Sequence, residues 1–108
     1  MKTIRWSPLA IECLEEIVLY AFKKEPLKAI EWIDSLFDKV SLLKRNFRAR
    51  PMVPELELTN VRQIVHGDYR VIYQFDDTLI SILSVRRCFK QFGENDVHSD
   101  TEKDVNNI

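Results

Sequence analysis

The hydrophobic positions in the second half of the chain cluster in short runs that are bounded by polar turn residues, a pattern that is typical of β-strands. Three such runs follow one another, and all are rich in the Val, Ile, Tyr and Phe that strands prefer. They span residues 61–66, 69–75 and 78–85. Gly67-Asp68 separates the first two runs and suits a type II′ hairpin turn. Asp76-Asp77 marks the second reversal, so the pattern predicts an antiparallel meander of three strands.

The first half of the chain has a helical period instead, after a short alternating run at residues 2–6 that predicts a first strand. Ser7-Pro8 provides an N-cap hydroxyl followed by proline at the first helical position. This helix is predicted to reach about Lys24, and a second begins at Pro26. Each helix has one apolar face, formed by Ala10, Leu14, Ile17 and Ala21 in the first and by Ala29, Ile33, Leu36, Val40 and Leu43 in the second.

Because the turn between the two helices is so short, they are predicted to form an antiparallel hairpin that packs on one face of the meander. The predicted fold class is therefore α+β: an N-terminal strand and a helical hairpin packed on a three- to four-stranded antiparallel sheet. A chain of 108 residues fits one compact domain. We assign this domain to residues 1–93 and expect residues 94–108, which are polar and acidic, to form a flexible tail.

Charge is distributed unevenly, although the net charge is only −1. Residues 44–90 contain nine basic and five acidic residues, whereas residues 94–108 contain five acidic residues and one lysine. Such a distribution is typical of a solvated surface and equally of a basic surface that meets an anionic partner. That partner would be nucleic acid or an acidic protein segment, and the pattern alone leaves these interpretations open.

Several kinds of site are not indicated. The only cysteines, Cys13 and Cys88, are not spaced as metal ligands and are interpreted as free thiols of a reducing compartment. We predict no metal site and no cofactor. No apolar run approaches the roughly 20 residues that span a bilayer, and the start of the chain has no secretory signal. We therefore expect a cytoplasmic protein without a membrane partner.

The run IVHGDYRVIYQF at residues 64–75, followed by a strand that ends in SVRR, resembles the signature of the RelE/ParE superfamily of toxins from bacterial type II toxin–antitoxin modules. Its most specific part is the Tyr-Arg, two aliphatic residues and Tyr at residues 69–73. The resemblance covers roughly residues 4–90. It implies a cognate antitoxin, ParD-like or of another family, that wraps the toxin. The residues expected to bind the antitoxin are Trp32, Leu36, Phe37 and Arg70, although Trp32 and Phe37 also suit a role in covering the sheet.

Ribonuclease members of the superfamily use basic residues on the exposed face of the sheet to cleave messenger RNA. The resemblance assigns this role to Arg70, Arg86 and Arg87. An arginine stabilises negative charge but cannot act as a general base at neutral pH. The lysines, and the tyrosine or histidine after the last strand, that active relatives use have no counterpart here. His66 is interpreted as a polar residue beside the turn. Arg70 has a structural alternative, an ion pair with Asp68 or Glu57.

The pattern is more similar to the ParE branch, whose members keep the fold and poison DNA gyrase. The expected function is thus a toxin that binds and inhibits DNA gyrase and is not an enzyme itself. The residues expected to contact gyrase or its DNA are Arg62, Arg86, Arg87 and Lys90. Two alternatives remain: a RelE-like, ribosome-dependent messenger RNA interferase, and an inactive toxin fold retained as an interaction partner.

Overall fold

The computed structural model describes residues 2–88, and its elements follow the predicted order. Strand β1 (Thr3–Trp6) precedes helix α1 (Pro8–Lys24), helix α2 (Pro26–Ser41) and the single helical turn α3 (Leu43–Asn46). Strands β2 (Val61–His66), β3 (Tyr69–Phe75) and β4 (Leu79–Arg87) complete the sheet. The predicted tail at residues 94–108 and the site residue Lys90 lie outside the described residues.

The four strands form one mixed sheet in the order β1-β4-β3-β2. The predicted antiparallel meander of β2, β3 and β4 is confirmed. The expectation of an entirely antiparallel sheet is wrong, because β1 runs parallel to β4, with Ile4 opposite Ile80. The reason lies in the hairpin: α1 continues in the direction of β1, and α2 returns the chain to the end where β1 began. Strand β2 starts from that end, so β4, two reversals later, runs in the same direction as β1.

Helix α1 begins at the predicted cap, which also joins it to the sheet. The Ser7 hydroxyl accepts a hydrogen bond from the Ala10 N–H at 3.1 Å. It donates one to the Leu83 carbonyl, also at 3.1 Å. Leu83 is the extra residue where β4 shifts register against β3, between the pairs Ile72–Ser84 and Tyr73–Ile82. A bulge of this kind turns a backbone carbonyl out of the ladder, and here Ser7 satisfies it.

The core has two layers, one on each face of the sheet. The helical hairpin packs its predicted apolar face, including Ala10, Leu14, Leu36 and Val40, against one face of the sheet. Leu43 is also buried, although α2 ends before it. On the other face, Val53 and Leu56 of the β2-preceding loop cover a smaller apolar cluster formed by Val61, Ile72 and Leu83. This loop places its polar side chains beside the strands, at the edge of the smaller cluster.

The turn between β2 and β3 has the backbone that its sequence predicts. Gly67 has a φ of 62°, and no described residue that carries a side chain has a positive φ. Asp68 therefore has a negative φ, which is compatible with the predicted type II′ turn and excludes type I′. Among residues 2–88, no helix is both long enough and apolar enough to cross a bilayer.

Candidate interaction site

Arg70 lies on the face of the sheet that is opposite the helices. Its Nη1 donates to Glu55 Oε1 and to Gln63 Oε1, each at 3.0 Å, and its Nη2 forms an ion pair with Glu55 Oε2. Arg70 is only 4% exposed. The bidentate pair neutralises the guanidinium charge where it lies. The partner is thus Glu55, and not Asp68 or Glu57 as the sequence suggested, because the buried residues Val53 and Leu56 on either side of it hold the loop against this face.

The other two arginines of the expected ribonuclease set lie on opposite faces of the sheet, as successive strand residues must. Arg86 lies opposite Arg70 in the ladder, and its Nε donates to Ser84 Oγ at 3.0 Å. Arg87 lies opposite Tyr69, with its guanidinium carbon 5.4 Å from the centre of the Tyr69 ring. The structure therefore brings Arg70 and Arg86 together but directs Arg87 elsewhere.

Arg62 lies near the far end of the sheet from Arg87. Arg62 lies opposite Tyr73 in the ladder, whereas Arg87 lies opposite Tyr69. These two positions of β3 are four residues apart, which is about 13 Å along the strand. The Arg62 guanidinium donates to the carbonyls of the flanking loop: Thr59 at 2.8 Å, Arg48 at 3.2 Å and Arg50 at 3.1 Å. The residues expected to contact the target thus do not form one patch within residues 2–88.

Arg87 instead lies with Trp32 in a groove between the tip of the helical hairpin and the β2–β3 turn, here called the Trp32 groove. The groove has a volume of about 390 Å³. Its walls are apolar and aromatic, since the Trp32 and Tyr69 rings meet edge to face with centres 5.7 Å apart. The charged residues that line it are three cations and two carboxylates, namely Lys24, Lys28, Arg87, Glu25 and Asp68.

Two of the cations that line the groove have partners on the helices. The Lys24 ammonium lies 4.7 Å from the centre of the Tyr20 ring, and its hydrogen bond to the hydroxyl lowers the pKa of Tyr20. Lys28 pairs with Glu25 at 3.1 Å in an exposed contact. Exposed pairs of this kind contribute little to stability and exchange easily. The groove therefore combines an apolar interior with positive charge that a ligand can reach.

Three of the four residues expected to bind the antitoxin lie on different sides of α2, and the fourth, Arg70, lies on the opposite face of the sheet. Trp32 is half-buried in the groove, and Phe37 is 46% exposed, with its ring 5.5 Å from that of Trp6 at the other end of the helix. Leu36 is 0% exposed, because it belongs to the apolar face that meets the sheet, so it has no surface to offer a partner. Of this set, the groove contains Trp32 alone.

His66 lies inside the fold and not beside Arg70. It is 7% exposed, and its ring centre is 5.1 Å from that of Trp32. Its Nε2 lies 3.1 Å from the Trp32 carbonyl oxygen, a contact that joins β2 to α2. Cys13 and Cys88 are free thiols, and burial raises the pKa of the Cys13 thiol. Within residues 2–88, no cluster of three or more His, Cys, Asp or Glu side chains could hold a metal ion.

The family model for the ParE toxin of the type II toxin–antitoxin system parDE matches residues 4–91. The chain belongs to the ParE toxin family. It is therefore a toxin of a type II toxin–antitoxin module, and the resemblance to the RelE/ParE superfamily is confirmed. No individual curated protein matched the chain.

Two solved structures place the fold of this ParE-family chain. One comes from the chromosomal ParDE toxin–antitoxin system of P. aeruginosa, with a TM-score of 0.67 and 20% identity, covering 81% of this chain and 96% of the other. The second is the YoeB dimer from Staphylococcus aureus, with a TM-score of 0.54 and 22% identity, covering 82% and 98%. At these identities the likeness concerns the fold alone.

The ParE-family chain has a further charged surface to which the sequence assigned no function. The segment from Lys44 to Arg50 follows α2 and lies at the opposite end of the sheet from the Trp32 groove. Its Phe47 ring packs against Phe75 at the end of β3, with ring centres 4.9 Å apart. The available signal was the spacing of basic residues around Phe47, but the strand residues that complete this surface are distant in sequence.

Proposed function

We propose that this ParE-family toxin binds and inhibits DNA gyrase and does not cleave RNA. The observation that carries the proposal is the ion pair of Arg70. A ribonuclease of this fold would need that guanidinium free to stabilise charge on a phosphate. Here the group is 4% exposed, and both terminal nitrogens donate to Glu55 or Gln63. Its charge is used within the protein.

The chemistry of the surrounding face also favours a binding role. Cleavage by the 2′-hydroxyl needs a group that accepts the hydroxyl proton. Arg86, which shares the face with Arg70, cannot do so at neutral pH because an arginine stays protonated. The Glu55 carboxylate, which lies on this face, is paired with Arg70 and is not placed to accept that proton. His66 lies on the helix side of the sheet against Trp32. The described residues near Arg70 therefore support binding better than proton transfer.

We also propose that the cognate antitoxin occupies the Trp32 groove. The similar P. aeruginosa structure comes from a ParDE toxin–antitoxin system, which favours an antitoxin partner here. An antitoxin segment with an apolar side chain flanked by acidic residues would suit the groove. The apolar side chain would contact Trp32 and Tyr69, while the acids would meet Lys24 and Arg87. Trp32→Ala should then weaken antitoxin binding by at least about tenfold, since aromatic anchors dominate such interfaces, whereas Phe37→Ala should have little effect.

The deciding experiment is a plasmid supercoiling assay with purified gyrase and the full chain. We expect loss of supercoiling or accumulation of linear cleaved plasmid. Arg86→Ala and Arg87→Ala should each weaken inhibition. The matched control is Lys23→Ala, which removes an exposed cation outside the proposed contact residues. A folded protein that leaves supercoiling unchanged would contradict the gyrase proposal.

A parallel assay for ribosome-dependent cleavage of messenger RNA separates the alternatives. Cleavage that is lost in Arg70→Ala but kept in Lys23→Ala would support the interferase interpretation instead. If a folded protein does neither but still binds its antitoxin, the chain is a toxin fold retained for interaction.

A further inference from the structure

Four cations lie near a pair of phenylalanine rings at the end of the sheet where β1 and β4 begin, and a fifth, Arg45, is the chain neighbour of one of them on α3. The rings belong to Phe47 and Phe75. We call this region the Phe47 basic surface and define it by Lys2, Lys44, Arg45, Arg48 and Arg62. Lys44 and Arg45 are exposed on α3, and Arg48 is exposed in the turn that follows. A shallow cavity of about 550 Å³ opens between Lys2, Lys44 and Phe47.

Three of these cations lie over the aromatic rings. Lys2 Nζ is 4.6 Å from the centre of the Phe47 ring. The guanidinium carbon of Arg48 is 5.9 Å from the centre of Phe47 and 5.1 Å from that of Phe75. Arg62 lies 5.9 Å from the centre of Phe75. Such contacts hold a cation in place while leaving its charge available.

The charge of this surface is not compensated by ion pairs among residues 2–88. The ion pairs Glu25–Lys28 and Glu55–Arg70 lie elsewhere. Lys2 donates to the carbonyls of Asp76 at 2.5 Å and Asp77 at 2.8 Å, and Arg62 donates to three loop carbonyls. These bonds to neutral groups fix the side chains and leave a net positive charge.

Two carboxylates lie near the surface and oppose part of its charge. The Asp76 carboxylate accepts hydrogen bonds from the N–H groups of Thr78 and Leu79, at 2.9 and 2.8 Å, so it serves the β3–β4 turn. Asp77 lines the same cavity as Lys2 and Lys44. Five cations against these two acids still leave a surface that attracts an anion.

The rings indicate which kind of polyanion fits. Proteins that bind single-stranded nucleic acid offer exposed aromatic faces on which unpaired bases stack. Here Phe75 is buried and Phe47 half-buried, and cations already cover their faces. An unpaired base would therefore have no exposed aromatic face on which to stack. The same cations, held by rings and carbonyls, lose little freedom on binding the phosphates of a duplex.

We propose that the Phe47 basic surface binds the phosphate backbone of double-stranded DNA independently of its sequence. This goes beyond the proposed inhibition of gyrase, because it concerns DNA bound directly by the toxin. Its test uses DNA without gyrase, so failure of one proposal is distinguishable from failure of the other.

The experiment measures the fluorescence anisotropy of a short labelled duplex with the full chain over a range of salt concentrations. The test variant is Arg45→Ala/Arg48→Ala. The matched control, Arg5→Ala/Lys23→Ala, removes two exposed charges away from this surface. We expect wild-type affinity in the micromolar range at low salt, as for non-specific binding. The test variant should bind at least about tenfold more weakly, with a slope of log affinity against log salt shallower by about 1.8, because each lost phosphate contact removes about 0.9.

The control variant should bind with an affinity within about twofold of the wild-type value, and its slope should differ by less than about 0.5, as expected when no phosphate contact is lost. Absence of wild-type binding to the duplex would overturn the proposal, as would an equal loss in test and control variants. Single-stranded DNA and duplex RNA serve as competitors. Stronger binding of either than of duplex DNA would overturn the assignment to double-stranded DNA. Denaturant unfolding of both variants verifies that they fold.

Discussion

At the scale of the residue, Arg70 shows how a motif can be recognised while its role is not. The Tyr-Arg core identified the family, and residues 69–75 formed the predicted strand. The role of the arginine depends on Glu55, which is 15 residues earlier in the chain and reaches Arg70 only because the loop packs on the sheet. The sequence suggested Asp68 or Glu57 as the partner and Glu55 was missed, because nothing in the sequence shows which loop carboxylate reaches the sheet. Only the loop packing makes that choice.

We predict that Arg70→Ala lowers the free energy of unfolding by about 2–4 kcal/mol. Breaking a buried ion pair typically costs about 3–5 kcal/mol, and the partly exposed Glu55 recovers some of this through water. Arg70→Lys should recover only part of the loss, because an ammonium cannot form the bidentate pair. Urea unfolding measures these differences, with exposed Arg5→Ala as the control. An Arg70→Ala protein as stable as the control would mean that the network contributes nothing.

Tyr73 gives a prediction about alkaline pH. Its hydroxyl donates to the Phe47 carbonyl at 2.5 Å, and burial raises the pKa of Tyr73 to about 12, against the opposing charges of Arg62 and Arg50. The unfolded chain releases this proton near pH 10. The stabilising contribution of the neutral phenol is therefore complete below about pH 10 and is lost as the pH rises through about 12.

Urea unfolding between those two pH values should consequently show a decline in stability that is shallower in Tyr73→Phe. Tyr20→Phe is the matched control, because the pKa of Tyr20 is lowered by Lys24 and not raised; it should keep the steep decline. Identical pH profiles for the Tyr73→Phe variant and the wild-type protein would contradict the prediction.

At the scale of the element, the periodic segments were predictable and the places where they join were not. The 3.6-residue pattern identified α1 and α2 because each helix buries one face, and the runs of Val, Ile, Tyr and Phe between turn residues identified the meander, which is buried on both faces. The helical pattern extended α2 through Leu43, which is buried, but the chain bends into α3 near Leu42. The parallel pairing of β1 with β4 was also missed, because the four residues of β1 do not indicate the direction of the strand beside them.

Ser7 is where one of those junctions can be tested. We predict that Ser7→Ala lowers the free energy of unfolding by about 2–3 kcal/mol, because it removes an N-cap, worth about 1 kcal/mol, and leaves the Leu83 carbonyl without its side-chain donor. Denaturant unfolding provides the measurement. Ser35→Ala on the exposed side of α2 is the control and should change stability by less than about 0.5 kcal/mol. Equal effects of the two substitutions would show that the capping contact is not stabilising.

At the scale of the whole molecule, the chain separates two surfaces by the length of the sheet. The Trp32 groove lies where β3 begins and β4 ends, whereas the Phe47 basic surface lies where β3 ends and β4 begins. Composition revealed the excess of basic residues in the span from 44 to 90, but not that the strand register assigns Arg87 to one end and Arg62 to the other. Under our two proposals, the antitoxin binds at the first of these ends and duplex DNA at the second.

The charge of the whole chain leads to a prediction about residues 94–108. Removing them changes the net charge from −1 to +3, since they contain five acidic residues and one lysine. Both apolar clusters lie within residues 2–88, so we expect the truncated chain to unfold at the same denaturant concentration as the full chain. Its affinity for a short DNA duplex should rise by about tenfold at low salt, and this gain should fade as salt screens the acids.

A full-length variant in which these five acids are replaced by Asn or Gln is the control for charge. It should reproduce the gain in affinity if the acids act through their field on the Phe47 basic surface. A gain on truncation that the neutralised variant lacks would assign the effect to the bulk of the segment. Unchanged affinity in both chains would show that residues 94–108 exert no electrostatic effect on DNA binding, because a change of four units in net charge must otherwise alter attraction to a polyanion at low ionic strength.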